Sequence, residues 1–157
     1  MLVLAQESAL CYLHCGNTTV EAKSGNGLSL DDELKMLRVV RQLNATTSLE
    51  FVPTCRGAHA VPEEFARAPE QYVALVIQEM LPTVAEEGLA EYCDIFCERG
   101  YFDLTDAERI LRAAQELGLR LRMHVDQLTN SGGAFLAARL GAATADHPEQ
   151  TNAAGIS

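Results

Sequence analysis

The sequence predicts a parallel α/β fold, and three observations carry that reading. Short β-rich runs alternate with longer stretches of helical periodicity along the whole chain. Three histidines, His59, His124 and His147, close such runs, where α/β enzymes collect their chemistry. The 157 residues, 48% of them hydrophobic, are enough for one domain with a sizeable core.

An opening helical stretch covers Leu4 to Leu13. The first strand is expected over Thr18 to Ser24 and is followed by a helix over Leu30 to Leu43. In that helix Leu30, Leu34, Leu37 and Val40 share one face behind the N-cap candidate Ser29. A second strand, Ser48 to Cys55, precedes a helical pattern from about Glu70 to Glu87, in which Pro82 predicts a kink or break after Leu81. A third strand, Cys93 to Cys97, leads to a helix over Asp106 to Leu117. Thr105 and Glu108 form a capping-box pattern ahead of it and Gly118 is placed to end it. The fourth strand is Leu119 to Val125, the next helix Ala134 to Leu140, and the fifth strand Ala143 to His147. Nothing reads as a linker or low-complexity tract, so residues 1–157 are expected to form one unit. Five parallel strands make either an open sheet or five-eighths of a (β/α)₈ barrel.

Composition removes several function classes. The formal net charge of −10 argues against a nucleic-acid binder, which needs clustered Lys and Arg. No run of 18 apolar residues occurs, and the opening MLVLAQESALCYLHCG has no basic segment and contains Glu7. Neither a membrane span nor a signal peptide is expected, and a cytoplasmic location follows. The five cysteines, Cys11, Cys15, Cys55, Cys93 and Cys97, read as reduced, buried thiols. Cys93 and Cys97 lie four apart in a strand, roughly 13 Å from each other, too far to share a zinc ion.

A neutral imidazole at a strand's carboxyl end is a common ligand for zinc or iron, yet a lone one reads as readily as a polar strand end. Three of them are different, because parallel strand ends converge on one rim although far apart in sequence. His14 precedes the first strand and reads as surface or packing. Gly25-Asn26-Gly27 follows the first strand, but the third glycine of a G-x-G-x-x-G fingerprint would fall at Leu30, so this is a permissive loop rather than a nucleotide site. No G-x-S-x-G elbow is present.

On VEAKSGNGLSLDDELKMLRVVRQL, GAHAVPEEF, EMLPTVAEEGLAEYCDIFCERGYF, LRMHVDQLTNSGGAFLAARLGA and ATADHPEQT, the chain resembles the imidazolonepropionase family of the amidohydrolase superfamily along essentially its whole length. The resemblance implies a metal-bearing (β/α)₈ barrel of the amidohydrolase kind, here about strands 2 to 6. It also implies hydrolytic opening of a small molecule, 4-imidazolone-5-propanoate, to N-formimidoyl-L-glutamate in histidine degradation. By the same resemblance His124 is a metal ligand, the metal being zinc or iron, and His147 a catalytic residue that polarises the scissile carbonyl or shuttles a proton. His59 and Gln127 are then substrate-binding, and Gln127, an amide, cannot serve as a base. The family's KSGYG motif is Lys23-Ser24-Gly25-Asn26-Gly27 in this chain, so Asn26 stands where a substrate-binding tyrosine is usual. Pro148 replaces a leucine after the ADH histidine, which disturbs the strand exit.

The family's His-x-His pair from its first strand and its metal-binding aspartate from the eighth are not found in this sequence. Strands one, seven and eight and the additional β domain are missing too. With one of four protein ligands, the chain alone is expected to bind metal weakly if at all. The competing readings are a non-catalytic barrel fragment that associates with itself or a complementary chain through unpaired edges, and another amidohydrolase such as a deaminase, which the GAH and KSG motifs disfavour.

Overall fold

In the computed structural model, residues 1–25 and 27–156 are described. Five parallel strands, β1 (Thr19–Lys23), β2 (Glu50–Ala58), β3 (Tyr92–Cys97), β4 (Arg120–Val125) and β5 (Thr144–Asp146), pair in sequential order. With crossovers of one hand, an order that never reverses puts every connecting helix on the same side. The sheet therefore curls into a half-barrel, the partial (β/α) barrel that the alternation predicts.

The helices are α1 (Leu2–His14), α2 (Leu30–Thr46), α3 (Pro69–Leu75), α4 (Leu81–Glu86), α5 (Leu104–Glu116), α6 (Gly133–Leu140) and the short α7 (Ala153–Ile156). Strand periodicity sorts the side chains. Cys55, Cys93, Ile95, Cys97, Leu121, Met123 and Val125 point outward into a core shared with Leu34, Leu37, Val73, Val76, Ile110, Leu111 and Leu136 of the helices. Phe51 and Val20 pack outward into a second cluster with Ala9, Val40 and Leu43, under α1 and α2. The alternate residues, Glu21, Lys23, Thr54, Tyr92, Asp94, Arg122, His124 and Asp146, line the concave face.

Local chemistry agrees with the sequence at most boundaries. Ser29 caps α2, accepting from Asp32 N at 3.2 Å, and Gly118 ends α5 with φ +84°. Three expectations are corrected. The cap of α5 is Asp103, whose Oδ1 accepts from Asp106 N at 2.9 Å. Thr105 lies inside the first turn, because a carboxylate facing the positive helix end outcompetes a hydroxyl two residues on. Of the kink or break expected after Leu81 at Pro82, the break is absent and the irregularity lies one turn earlier. The stretch from Pro69 to Glu86 is continuous through a π-turn, Val76–Met80, in which Leu81 N donates to Val76 O. That wider turn takes up the misfit of a residue with no N–H to give. Finally, Cys11 and Cys15 are exposed on and after α1, while Cys55, Cys93 and Cys97 are buried; all five are free thiols. Among the described residues no helix is long and apolar enough to cross a membrane.

Two buried carboxylates fix the loops at the carboxyl ends of β3 and β4. Glu98 Oε2 accepts from Leu128 N at 2.9 Å and Thr129 N at 3.3 Å, and its Oε1 from Arg99 N and the Thr129 hydroxyl. Asp126, at φ +48°, accepts from Ser131 N and Oγ, Gly133 N, Ala134 N and Thr151 Oγ1. Gly132 at the head of α6 has no side chain to offer, so Asp126 caps that helix from a distance and ties the chain after β5 to it.

Burial alone would raise both carboxyls, but these hydrogen bonds hold Asp126 and Glu98 below the ordinary carboxylate range. A depressed folded pKa contributes stability in full above the unfolded value, near about 4, and loses it as the pH falls further. The urea midpoint is therefore expected to drop as the pH falls from about 6 to 3, less steeply in Asp126→Asn. At neutral pH Asp126→Ala is expected to cost about 2–4 kcal/mol, each buried donor left unpaired costing about 1–3. A loss below about 0.5 kcal/mol, within the range of ordinary surface substitutions, would remove Asp126 from this role.

Candidate metal centre

Asp94 is the middle of the concave face and is fully buried. It stands level with Arg122 in the β3–β4 register, whereas Lys23 is level with Thr54 and, through it, Tyr92. The four-carbon stem of Lys23 carries its ammonium one rung further. Nζ lies 2.9 Å from Asp94 Oδ2 and 3.2 Å from His124 Nε2, with Glu21 Oε2 at 3.5 Å and Asp146 Oδ2 at 3.8 Å. His124 Nε2 is itself 3.2 Å from Asp94 Oδ2 and 3.6 Å from Asp146 Oδ2.

His59 reaches the cluster through an irregularity that simple alternation does not foresee. Cys55 is paired with Cys93 and Ala58 with Ile95, so three steps of β2 match two of β3. The extra residue inverts the parity of the strand, and His59, which would otherwise face the helices with Cys55, turns inward. The bulge is held from both sides. Arg56 N donates to Ser24 Oγ at 3.0 Å, and the Tyr72 hydroxyl donates to Gly57 O at 2.7 Å. Gly57 has no room for a side chain, since a Cβ would come 2.3 Å from Met80 Sδ. Gly25, at φ +109°, would put one 2.7 Å from Arg56 O. The KSG and RGAH segments therefore meet at the bulge.

His59 Nε2 approaches Asp94 Oδ2 to 3.4 Å, too poorly placed for a full hydrogen bond, so that nitrogen and Asp94 Oδ1 are buried without partners among the described residues. Burial pulls the His59 imidazole down from its ordinary pKa, against the opposing pull of Asp94. Burial would push the Asp94 carboxyl up, yet its contacts with His124, His59 and Lys23 hold it well below the usual carboxylate range.

The three histidines that close strands in the sequence are brought together. The His59 and His124 ring centroids are 4.8 Å apart, and those of His124 and His147 5.1 Å. His147 is half-exposed, its Nδ1 3.7 Å from Glu149 Oε1, and it leaves β5 with φ +61° just before Pro148. Gln127 is half-buried in the bend after β4, between the anchored residues Asp126 and Leu128. His14 is exposed. Asn26 lies outside the described residues.

One ring nitrogen each of His59 and His124 and a carboxylate oxygen of Asp94 lie within 4.8 Å of one another, a nitrogen and oxygen set suited to zinc or iron. The orphaned Asp94 Oδ1 and His59 Nε2 fit a site that takes a further partner. His124 thus has two neighbours, Asp94 and Lys23, that sequence reasoning did not supply. The signal for Asp94 was a lone acid inside the apolar run YCDIFC, where a buried charge demands partners. Lys23 had no signal beyond its place in KSG.

The sequence is 61% identical over 145 residues to the imidazolonepropionase of Solibacter usitatus, an overlap of 92% of this chain and 35% of the relative. It is 54% identical over 135 residues to that of Alkaliphilus metalliredigens, covering 86% of this chain and 32% of the relative. With that of Caldanaerobacter subterraneus it shares 49% over 156 residues, 99% and 38% of the two chains. The chain spans about a third of the length of the curated relatives it matches. No protein-family model matches it.

Removing the central carboxylate leaves an ammonium whose remaining carboxylates, on Glu21 and Asp146, are more distant. Asp94→Ala is expected to cost about 3–4 kcal/mol, the lower part of the range for breaking a buried ion pair because Lys23 keeps those two. Denaturant unfolding at pH 7 measures it, and a variant as stable as the parent would show that Asp94 does not organise the face.

Proposed function

We propose that this chain, similar along nearly its whole length to about a third of imidazolonepropionase, carries one side of that enzyme's active site. The reaction would be the hydrolytic ring opening of 4-imidazolone-5-propanoate to N-formimidoyl-L-glutamate. The observation that supports this most directly is the meeting of His59 and His124 around Asp94, with His147 against His124, at the carboxyl ends of neighbouring strands. The small-molecule substrate and a cytoplasmic setting belong to the same proposal, and the free thiols fit a reducing compartment.

His124 and Asp94 would hold the metal, zinc or iron. When bound, such an ion polarises a carbonyl and lowers the pKa of water at neutral pH. The chain's own groups do the rest. His59, its charged form disfavoured by burial and its Nε2 without a partner among the described residues, would offer a hydrogen bond to the substrate ring. Gln127 can orient a polar group but not remove a proton. His147, half-exposed and with Nδ1 turned to Glu149, would give or take a proton at the scissile bond through Nε2.

With zinc or ferrous iron and a polypeptide supplying a His-x-His pair and a metal-binding aspartate, hydrolysis of 4-imidazolone-5-propanoate is expected; the chain alone should bind metal only weakly and give no turnover. Turnover by the chain alone would overturn the shared site, and none in either case would overturn the function. In the active assembly His147→Ala should lower kcat by about 10²–10⁴ with metal content unchanged. His59→Ala should raise KM at constant metal content, whereas loss of metal would make His59 a ligand instead.

A second reading, a non-catalytic fragment that associates with itself or a complementary chain, is favoured by the sheet edges. β1 and β5 are each paired on one side only among the described residues, and α1 exposes Val3, Leu4 and Leu10. Analytical ultracentrifugation tests it, with self-association rising with concentration as the expected outcome. A monomer at every accessible concentration, unchanged by the complementary polypeptide, would exclude it.

A further inference from the structure

We propose that the Lys23 ammonium is a built-in competitor for the cation that His124 and Asp94 would hold, so that metal enters only as this side chain moves aside. The proposal rests on the metal-site part of the reading above and is independent of turnover.

Three atoms carry it. Lys23 Nζ lies 2.9 Å from Asp94 Oδ2 and 3.2 Å from His124 Nε2, and those two are 3.2 Å from each other. An ammonium can only donate, so in this arrangement it takes up a lone pair of the carboxylate and the lone pair of the imidazole. A metal ion would take the same two lone pairs. Both cations cannot bond them at once, and like charges at such range in a buried face repel strongly.

The geometry also supplies a way out. Glu21 Oε2 at 3.5 Å and Asp146 Oδ2 at 3.8 Å flank the ammonium, and the Lys23 side chain is 20% exposed, so it is not walled in. A shift toward those carboxylates would keep its charge compensated while vacating Asp94 and His124. Arg122, 2.8 Å from Glu21 Oε1, draws on one of the two, which leaves Asp146 as the more available partner. Without Lys23, fully buried Asp94 would face two imidazoles and no cation. That is the arrangement that attracts a divalent ion.

The test is the affinity of the purified 157-residue chain for Zn²⁺ and Co²⁺, measured by competition with a chromogenic chelator. Lys23→Met keeps the apolar stem and removes the charge; it is expected to bind about tenfold tighter or more, and Lys23→Arg to stay near the parent. Equal or weaker binding by Lys23→Met overturns the proposal. Should that variant not fold, the parent provides a second readout, because Lys23 and Lys35 are its only lysines. In chain labelled with ¹³C-lysine, with Lys35→Arg assigning the signals, zinc should move the Lys23 resonance and leave Lys35 in place. A Lys23 signal that stays put while zinc binds overturns the proposal. Absence of binding in every form, with the complementary polypeptide also present, overturns the metal site itself, a result distinct from a failed hydrolysis assay.

Discussion

A charge buried in a sheet must be answered by its neighbours, and the concave face of this half-barrel is organised by the answer to Asp94. With no exposed surface, the carboxylate cannot draw on water. Its partners come from β1 as Lys23, from the end of β2 as His59 and from β4 as His124, while Asp146 on β5 faces two of them. All five strands thus contribute to one cluster about a residue from the central strand. Sequential strand order makes this reachable, because it keeps every neighbour within one side chain's length.

The rungs nearer the amino ends of the strands are different in kind. There Glu21 is paired with Arg122 at 2.8 Å and accepts from Thr54 at 2.7 Å. The guanidinium groups of Arg122 and Arg120 lie 4.0 and 4.5 Å from the Tyr92 ring centroid, and Thr19 donates to Glu50. Arg122 Nε and Thr144 Oγ1 in that layer are buried without partners among the described residues, as are Asp94 Oδ1 and His59 Nε2 toward the carboxyl ends. The two layers differ in chemistry rather than in satisfaction: the first joins a carboxylate, guanidinium groups and an aromatic ring, and the second gathers imidazoles and an ammonium about a carboxylate.

The secondary-structure order was legible because the apolar periods of strand and helix differ and switch cleanly at Gly118 and Ser29. The convergence of the histidines was legible for the same reason, since parallel strand ends must gather on one rim. What the text concealed were features set by tertiary contacts. The bulge that turns His59 inward depends on Ser24 and Tyr72, far away in sequence. The π-turn that carries the helix past Pro82 leaves no local signature. Asp103 and Thr105 are both plausible caps by composition, and only the folded first turn shows that Asp103 accepts from Asp106 N. The cysteines of α1 read as buried because the opening is apolar, yet the helix covers the sheet with one side only and exposes the other.

The functional weight of the cluster turns on whether its cation is fixed or exchangeable. A lysine that served only to neutralise Asp94 would be best placed with its charge wholly inside, bonded to that carboxylate alone. Lys23 instead spans four acceptors at graded distances, the two nearest being a buried carboxylate and an imidazole nitrogen and the two farther being more exposed carboxylates. A flexible ammonium on such a gradient can move outward without leaving compensating charge, which a purely structural ion pair does not require. The loops around it are the opposite: Glu98 and Asp126 clamp the segments bearing Gln127 and following His147 with backbone hydrogen bonds. Rigid walls about a single movable charge are what an exchangeable cation site needs, since the ligands must hold their geometry while one occupant leaves and another arrives.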